Sequence, residues 1–144
     1  MFKWRHQHSI EVDFPIRKVW DFFSNVSNWK TPRLIESYFQ SEKTIVNGTI
    51  VIAKLKNKLT NVPMVFTDVV ESREFKVLIK KYFEKQESHC ILQEVSPVKT
   101  KIVNHLVVTS IVAPLCKSYL LKYVEQQYIE FFEHMIKNLN HEVI

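Results

Sequence analysis

Two histidines two positions apart, His6 and His8, come nearest to a chemical motif in this 144-residue chain. On a strand, alternate residues share a face and sit ~6.8 Å apart, close enough for both imidazoles to meet one ligand. A zinc site needs a third protein ligand and an orienting outer shell. The sequence has neither an H-E-x-x-H nor a C-x-x-C, so no metal is expected and the pair is read as hydrogen-bonded or half-exposed at an open strand end. Tyr119, Tyr123 and Tyr128 give the C-terminal segment three phenols. Tyr128 falls on its apolar side, where the hydroxyl needs a partner: core packing is the preferred reading, a ligand donor the other. Glu125 flanks the same side. Cys90 and Cys116 lack a cationic or His-Asn setting that would make either a nucleophile. No catalytic residue is assigned.

The elements that must position these groups are legible from periodicity. Pro114 suits a first helical turn, where a missing N–H costs nothing. After it Leu120, Leu121, Val124, Tyr128, Phe131, Phe132, Met135, Ile136 and Leu139 recur at three- and four-residue intervals, with Lys122, Gln126, Glu130, Glu133 and Lys137 opposite. Roughly 25 helical residues make a rod of ~38 Å that needs an equally long surface to lie against. Residues 3–12 alternate, with Trp4, His6, His8, Ile10 and Val12 on one face, which predicts a half-buried strand. Asp13 is expected to cap a short helix over 15–24, with Pro15 in its first turn, and a second short helix ends near Trp29. Strands are expected over Leu34–Ser41, Thr44–Lys56 (part of a hairpin turning at Asn47-Gly48), Val62–Glu71, Phe75–Phe83, Ser88–Val95 and Thr100–Val112. Short polar connections between them suit antiparallel pairing. The order is strand, two helices, six strands and one long helix, in a single domain spanning 1–144.

Composition excludes several function classes. The formal charge of +5 and pI near 9.2 invite an anionic partner. The basic residues are spread along the chain and interleaved with acids, however, as on a solvated sheet face that guards its edges, so no nucleic acid is expected. One glycine in 144 residues leaves no means of building a phosphate-cradling loop. No apolar run approaches a membrane span, and MFKWRHQHS lacks the apolar core of a signal peptide, so a cytoplasmic monomer or small homo-oligomer with reduced cysteines is expected. No cofactor is expected.

The run His8-Ser9-Ile10-Glu11-Val12-Asp13-Phe14-Pro15-Ile16-Arg17-Lys18-Val19-Trp20 resembles the strand, proline and Val-Trp helix of the START-related and birch-pollen-allergen-like helix-grip superfamily (SRPBCC). Asn28-Trp29-Lys30, Gly48-Thr49, Phe66-Thr67-Asp68-Val69-Val70-Glu71 and the long C-terminal helix extend that resemblance over essentially the whole chain, nearest the polyketide cyclase/dehydrase-like branch. Val98-Lys99-Thr100 stands where the family usually has a Gly-Thr turn. The implied fold is α+β: a curved antiparallel sheet of about seven strands (β-α-α-β6-α) wrapped around the C-terminal helix.

The resemblance also implies an internal cavity between sheet and helix. Aligned on the family, the inward strand positions are Val51, Ala53, Leu55, Val65, Thr67, Val69, Phe75, Val77, Ile79, Ile102, Asn104, Leu106 and Val108. Leu120, Val124, Tyr128, Phe131 and Met135 come from the helix, and Trp29 stands near the cavity mouth, as a gate or as a cap on the core. Thr67 and Asn104 are then polar points in an apolar lining. They either bond each other or water, or orient a ligand. His105 points outward in the same register, as does Asp68. The implied function is binding or carriage of a small hydrophobic ligand (a lipid, an isoprenoid or an aromatic polyketide-like molecule). The alternatives are a cyclase or dehydratase drawing on His6, His8 or Tyr128, and a protein or ribosome interaction module of the coenzyme-Q-binding branch.

Overall fold

The computed structural model describes residues 2–29, 35–55, 61–81, 84–111 and 113–141, with the backbone alone at 35–38, 55, 81, 113–121, 123 and 141. Strand β1 (Phe2–Val12) leads to helix α1 (Ile16–Ser24) and a 3-10 turn (Val26–Trp29). Strands β2 (Ile35–Gln40), β3 (Ile50–Leu55), β4 (Asn61–Val70), β5 (Glu74–Lys81), β6 (Glu84–Ser96) and β7 (Lys99–Ser110) follow, and helix α2 (Ala113–His141) ends the chain. The seven strands form one antiparallel sheet in the order β1-β7-β6-β5-β4-β3-β2, so β1 returns to pair with the last strand and β1 and β2 are its edges.

Alternation decides which side of each strand meets the helices. Trp4 and Val12 are buried and His6, His8 and Ile10 half-buried, while Lys3, Arg5, Gln7, Ser9 and Glu11 are exposed. The register carries this face across the sheet: Trp4 stands opposite Val108, His6 opposite Leu106, His8 opposite Asn104 and Ile10 opposite Ile102. Helix α2 lays Phe132, Met135 and Leu139, all buried, against it, and at ~1.5–3 kcal/mol per buried side chain this face is the main term holding helix to sheet.

Three local expectations are corrected. Asp13 does not cap α1. Pro15 is the cap residue, with φ −60 and ψ 148 and no side-chain bond, and its carbonyl accepts from the Val19 amide at 3.2 Å. Asn47-Gly48 is a turn, but the strand expected from Thr44 starts at Ile50: β2 and β3 begin pairing at Gln40 and Val51, and residues 41–49 form a longer connection. That connection is tied down on both sides: the Ile45 amide donates to Ser24 O (3.0 Å) and the Gly48 amide to Phe66 O (2.8 Å). Ile45 itself is buried.

The third correction is in β4. Val65 and Thr67 do not face inward. Met64 and Phe66 do, and Thr67 is exposed. Asp68, with φ 49, and Val69 together stand opposite the single residue Phe75, because the pairing shifts between Thr67–Lys76 and Val70–Glu74. Such a bulge reverses the alternation for everything on one side of it. Counting back by twos from the partly buried Val69 therefore selects the wrong face.

Candidate functional site

The interior is divided. A large apolar cluster runs from Val12 and α1 across Val51, Met64, Phe66, Phe75 and Val77 to the C-terminal half of α2. Its centre is aromatic. Trp29 lies 5.8–6.0 Å, ring to ring, from Phe23, Phe66, Phe75 and Phe131, and its Nε1–H donates to Phe23 O at 3.1 Å. Such contacts add to the burial of each ring. Trp29 is a packed member of the core and closes this half of the space between sheet and helix.

A second, smaller cluster holds Trp4, Leu106 and Val108 with Val124 of α2 against them. Between the two lies a polar layer built from four elements. Asn104 of β7 donates through Nδ2 to the Tyr128 hydroxyl at 2.6 Å and accepts at Oδ1 from Ser88 of β6 at 3.2 Å. His8 and His6 of β1 stack on Tyr128, with centroids 5.2 and 5.6 Å away and planes within 3° and 10° of parallel. Phe132 adjoins both rings, at 5.4 Å from His8 and 6.3 Å from Tyr128. Strand register makes this layer: His8, Asn104 and Cys90 share one row across the sheet, and His6, Leu106 and Ser88 the next.

Burial sets the protonation of the layer. It lowers the His8 pKa, with the neighbouring His6 adding to the effect and Glu125 opposing it, so His8 is a neutral imidazole at neutral pH. Burial pushes Tyr128 up to about 12, with its bonds to Ser88 and Asn104 pulling the other way, which fixes it as a phenol rather than a phenolate. Cys90, fully buried, is likewise pushed up to about 12 and is inert as a nucleophile. Among the described residues no group of three or more His, Cys, Asp or Glu is placed to hold a metal ion.

An apolar cleft of about 260 Å³ opens beside this layer, between the free edge of β1 and α2. His8, Ser9 and Ile10 form one wall and Ile129, Phe132, Glu133 and Ile136 the other. Ile129 is 46% exposed, an apolar side chain that the fold leaves in the open at the cleft. His8 therefore belongs to both the polar layer and the cleft.

Of the residues that the sequence nominated, Val51, Ala53, Phe75 and Val77 are buried on the inner face, as is Leu106, and Val124, Tyr128 and Phe131 of α2 pack against that face. Asn104 is inward but already engaged by Tyr128 and Ser88, and Thr67 is not its partner. Val65 and Thr67 face out. The side chain of Leu120, with those of Tyr119, Tyr123 and Cys116, lies outside the described residues. His105 points to the outer face, near His89, as expected. Sequence reasoning missed Ser88 and the cleft residues Ile10, Ile129 and Ile136. Ser88 has no signal, being an ordinary strand serine until two strands are paired with it.

No protein-family profile matches the sequence, and comparison with curated proteins finds no match. Solved structures do match. A conserved protein from Geobacillus kaustophilus superposes with a TM-score of 0.76 at 17% identity, covering 96% of each chain. Ara h 8.0201 gives 0.77 at 16%, covering 97% of this chain and 99% of its own. The chain has the helix-grip fold. A third helix-grip structure, norcoclaurine synthase from Thalictrum flavum in complex with dopamine and hydroxybenzaldehyde, gives 0.61 at 15%, covering 88% of this chain and 84% of its own. At these identities the likeness is one of fold, and sites are argued from this chain's own residues. Within the helix grip, this chain packs aromatic rings at one part of the interior and places the Ser88, Asn104 and Tyr128 cluster beside β1. Among the described residues no helix is long and apolar enough to cross a membrane.

Proposed function

We propose that this helix-grip chain binds a small apolar or amphipathic molecule between β1 and α2, with its apolar body in the cleft and its polar end toward the layer of His8, Tyr128 and Asn104. The observation that carries this reading is the cleft itself: about 260 Å³, walled by Ile10, Ile129, Phe132 and Ile136, and leading to a neutral histidine. Concave apolar sites with few polar points are the usual form of small-molecule sites. The volume suits a molecule of one to three rings, which includes the one-ring size of the two aromatic compounds in the norcoclaurine synthase complex. Affinity comes from apolar surface removed from water at ~25 cal/mol per Å².

A cyclase or dehydratase needs an acid or base with a partner inside the site. The carboxylate facing His6 is Glu125, at 3.6 Å but with its side chain 61% exposed, and Tyr128 is held as a phenol. Binding is therefore the reading this geometry supports best. Titration with the neutral fluorophore N-phenyl-1-naphthylamine tests it. Saturable binding is expected, and Ile129→Gln weakens it about tenfold, the effect of losing ~50 Å² of apolar contact, with the melting temperature unchanged because Ile129 is exposed. Absence of saturable binding, or an Ile129→Gln variant that binds as tightly as the parent, contradicts it.

A further inference from the structure

Ser88, Asn104 and Tyr128 satisfy one another within the polar layer, but two groups of β1 on the side of the small cluster stay unpaired. Trp4 Nε1 and His6 Nδ1 are both sealed from solvent and have no hydrogen-bond partner among the described residues; the other such atom, His89 Nε2, is on the outer face and has Glu74 Oε1 at 3.6 Å. Trp4 is 6% exposed and the His6 side chain 9%. Folded proteins pair nearly all such groups, so two orphans two residues apart on one face of one strand call for a cause. The set is chemically specific. Indole N–H only donates. On His6, Nε2 faces Glu125 Oε1 at 3.6 Å, which favours the proton on that nitrogen and leaves Nδ1 a lone-pair acceptor. One unmet donor and one unmet acceptor therefore lie over the apolar surface of Leu106, Val108 and Val124. A hydroxyl group, which accepts and donates at once, complements that pair; an ether or ketone meets only Trp4, and a hydrocarbon meets neither.

We infer that Trp4 and His6 form an anchor for the hydroxyl of an alcohol or phenol whose apolar body packs on Leu106, Val108 and Val124. This rests on the binding reading above and adds to it a ligand chemistry and a second contact region on the far side of Tyr128 from the cleft. Because both orphan atoms are closed off in the free chain, binding includes an opening between β1 and α2, and the two hydrogen bonds gained offset part of its cost.

The test compares 2-naphthol with 2-methoxynaphthalene, which keeps the oxygen acceptor and loses the donor, by isothermal titration calorimetry against the wild-type chain, Trp4→Phe and His6→Phe. The wild type binds 2-naphthol about tenfold more tightly than the ether, the value of one buried hydrogen bond. His6→Phe, which keeps the ring stack on Tyr128, abolishes that preference, and Trp4→Phe weakens both compounds. Equal wild-type affinity for the two overturns the anchor while leaving the binding reading in place, and needs no variant to fold. A preference that survives in His6→Phe overturns it as well. Failure of both naphthalenes to bind overturns the anchor, and if N-phenyl-1-naphthylamine also fails, the binding reading goes with it.

Discussion

His8 shows how much a single side chain's environment decides. Its ring lies against those of both Tyr128 and Phe132, lines the cleft, and is kept neutral chiefly by burial. A histidine whose folded pKa lies below its unfolded value of ~6.5 lets the unfolded chain take up protons first as the pH falls. Its stabilising contribution is present above that unfolded value and is lost as pH drops through the folded one. The melting temperature of the wild-type chain is therefore expected to fall between pH 7.5 and pH 5. His8→Phe, which preserves the ring contacts, should flatten that fall. Identical pH profiles for the two proteins contradict the assignment. The same residue scale separates Asn104 from Thr67. Both are polar residues on strands beside apolar neighbours, yet Asn104 joins Tyr128 and Ser88 while Thr67 is on the opposite face.

At the scale of elements, the sheet is held in register by local devices. The connection at 41–49 pins β4: Gly48, with φ +88, donates to Phe66 O, the Phe66 amide donates to Thr49 O, and Asn47 Oδ1 accepts from the Val69 amide at 2.7 Å. A Cβ at Gly48 meets nothing within 4 Å, so the obstacle to a side chain there is the backbone conformation alone. Gly48→Ala is expected to cost ~1–2 kcal/mol in urea denaturation, with no change in ligand binding, since the residue is remote from β1 and α2. An unchanged midpoint contradicts this view of the connection. Much of the element order was legible because its signals are periodic: β1 alternates cleanly from Trp4 to Val12, and α2 repeats Val124, Tyr128, Phe131, Met135 and Leu139 at helical spacing. What was not legible breaks a period. The bulge at Asp68 reverses the face of β4, and no residue type announces it, since Asp is tolerated at positive φ without being diagnostic. The Ser88–Asn104–Tyr128 contact joins residues from three separate elements, a relation that exists only once strands are paired. Ile129 lies outside the apolar repeat of α2, which hid its place on the cleft wall.

Across the whole molecule, the described interior is graded from an aromatic cluster to a polar and partly unsatisfied end. Trp29, Phe23, Phe66, Phe75 and Phe131 hold α1, the 3-10 turn, the sheet and the C-terminal half of α2 as one packed body. Among the described residues, the small cluster at the β1–β7 end carries three buried apolar residues beside the orphaned polar atoms, and the cleft follows along the free edge of β1. Rigidity at one end and an opening at the other is an arrangement in which a ligand part-separates β1 from α2 without loosening the fold. The outer face of the sheet offers a rival surface, since Phe39 is 64% exposed and Ile50 stands beside Val65 on it. Amide chemical-shift mapping with N-phenyl-1-naphthylamine decides between the two faces. The account predicts shifts concentrated at Ser9, Ile10, Ile129, Phe132 and Ile136, with Trp4 and His6 following as β1 yields. Shifts confined to Phe39, Ile50 and Val65, with β1 and α2 undisturbed at saturation, would contradict it.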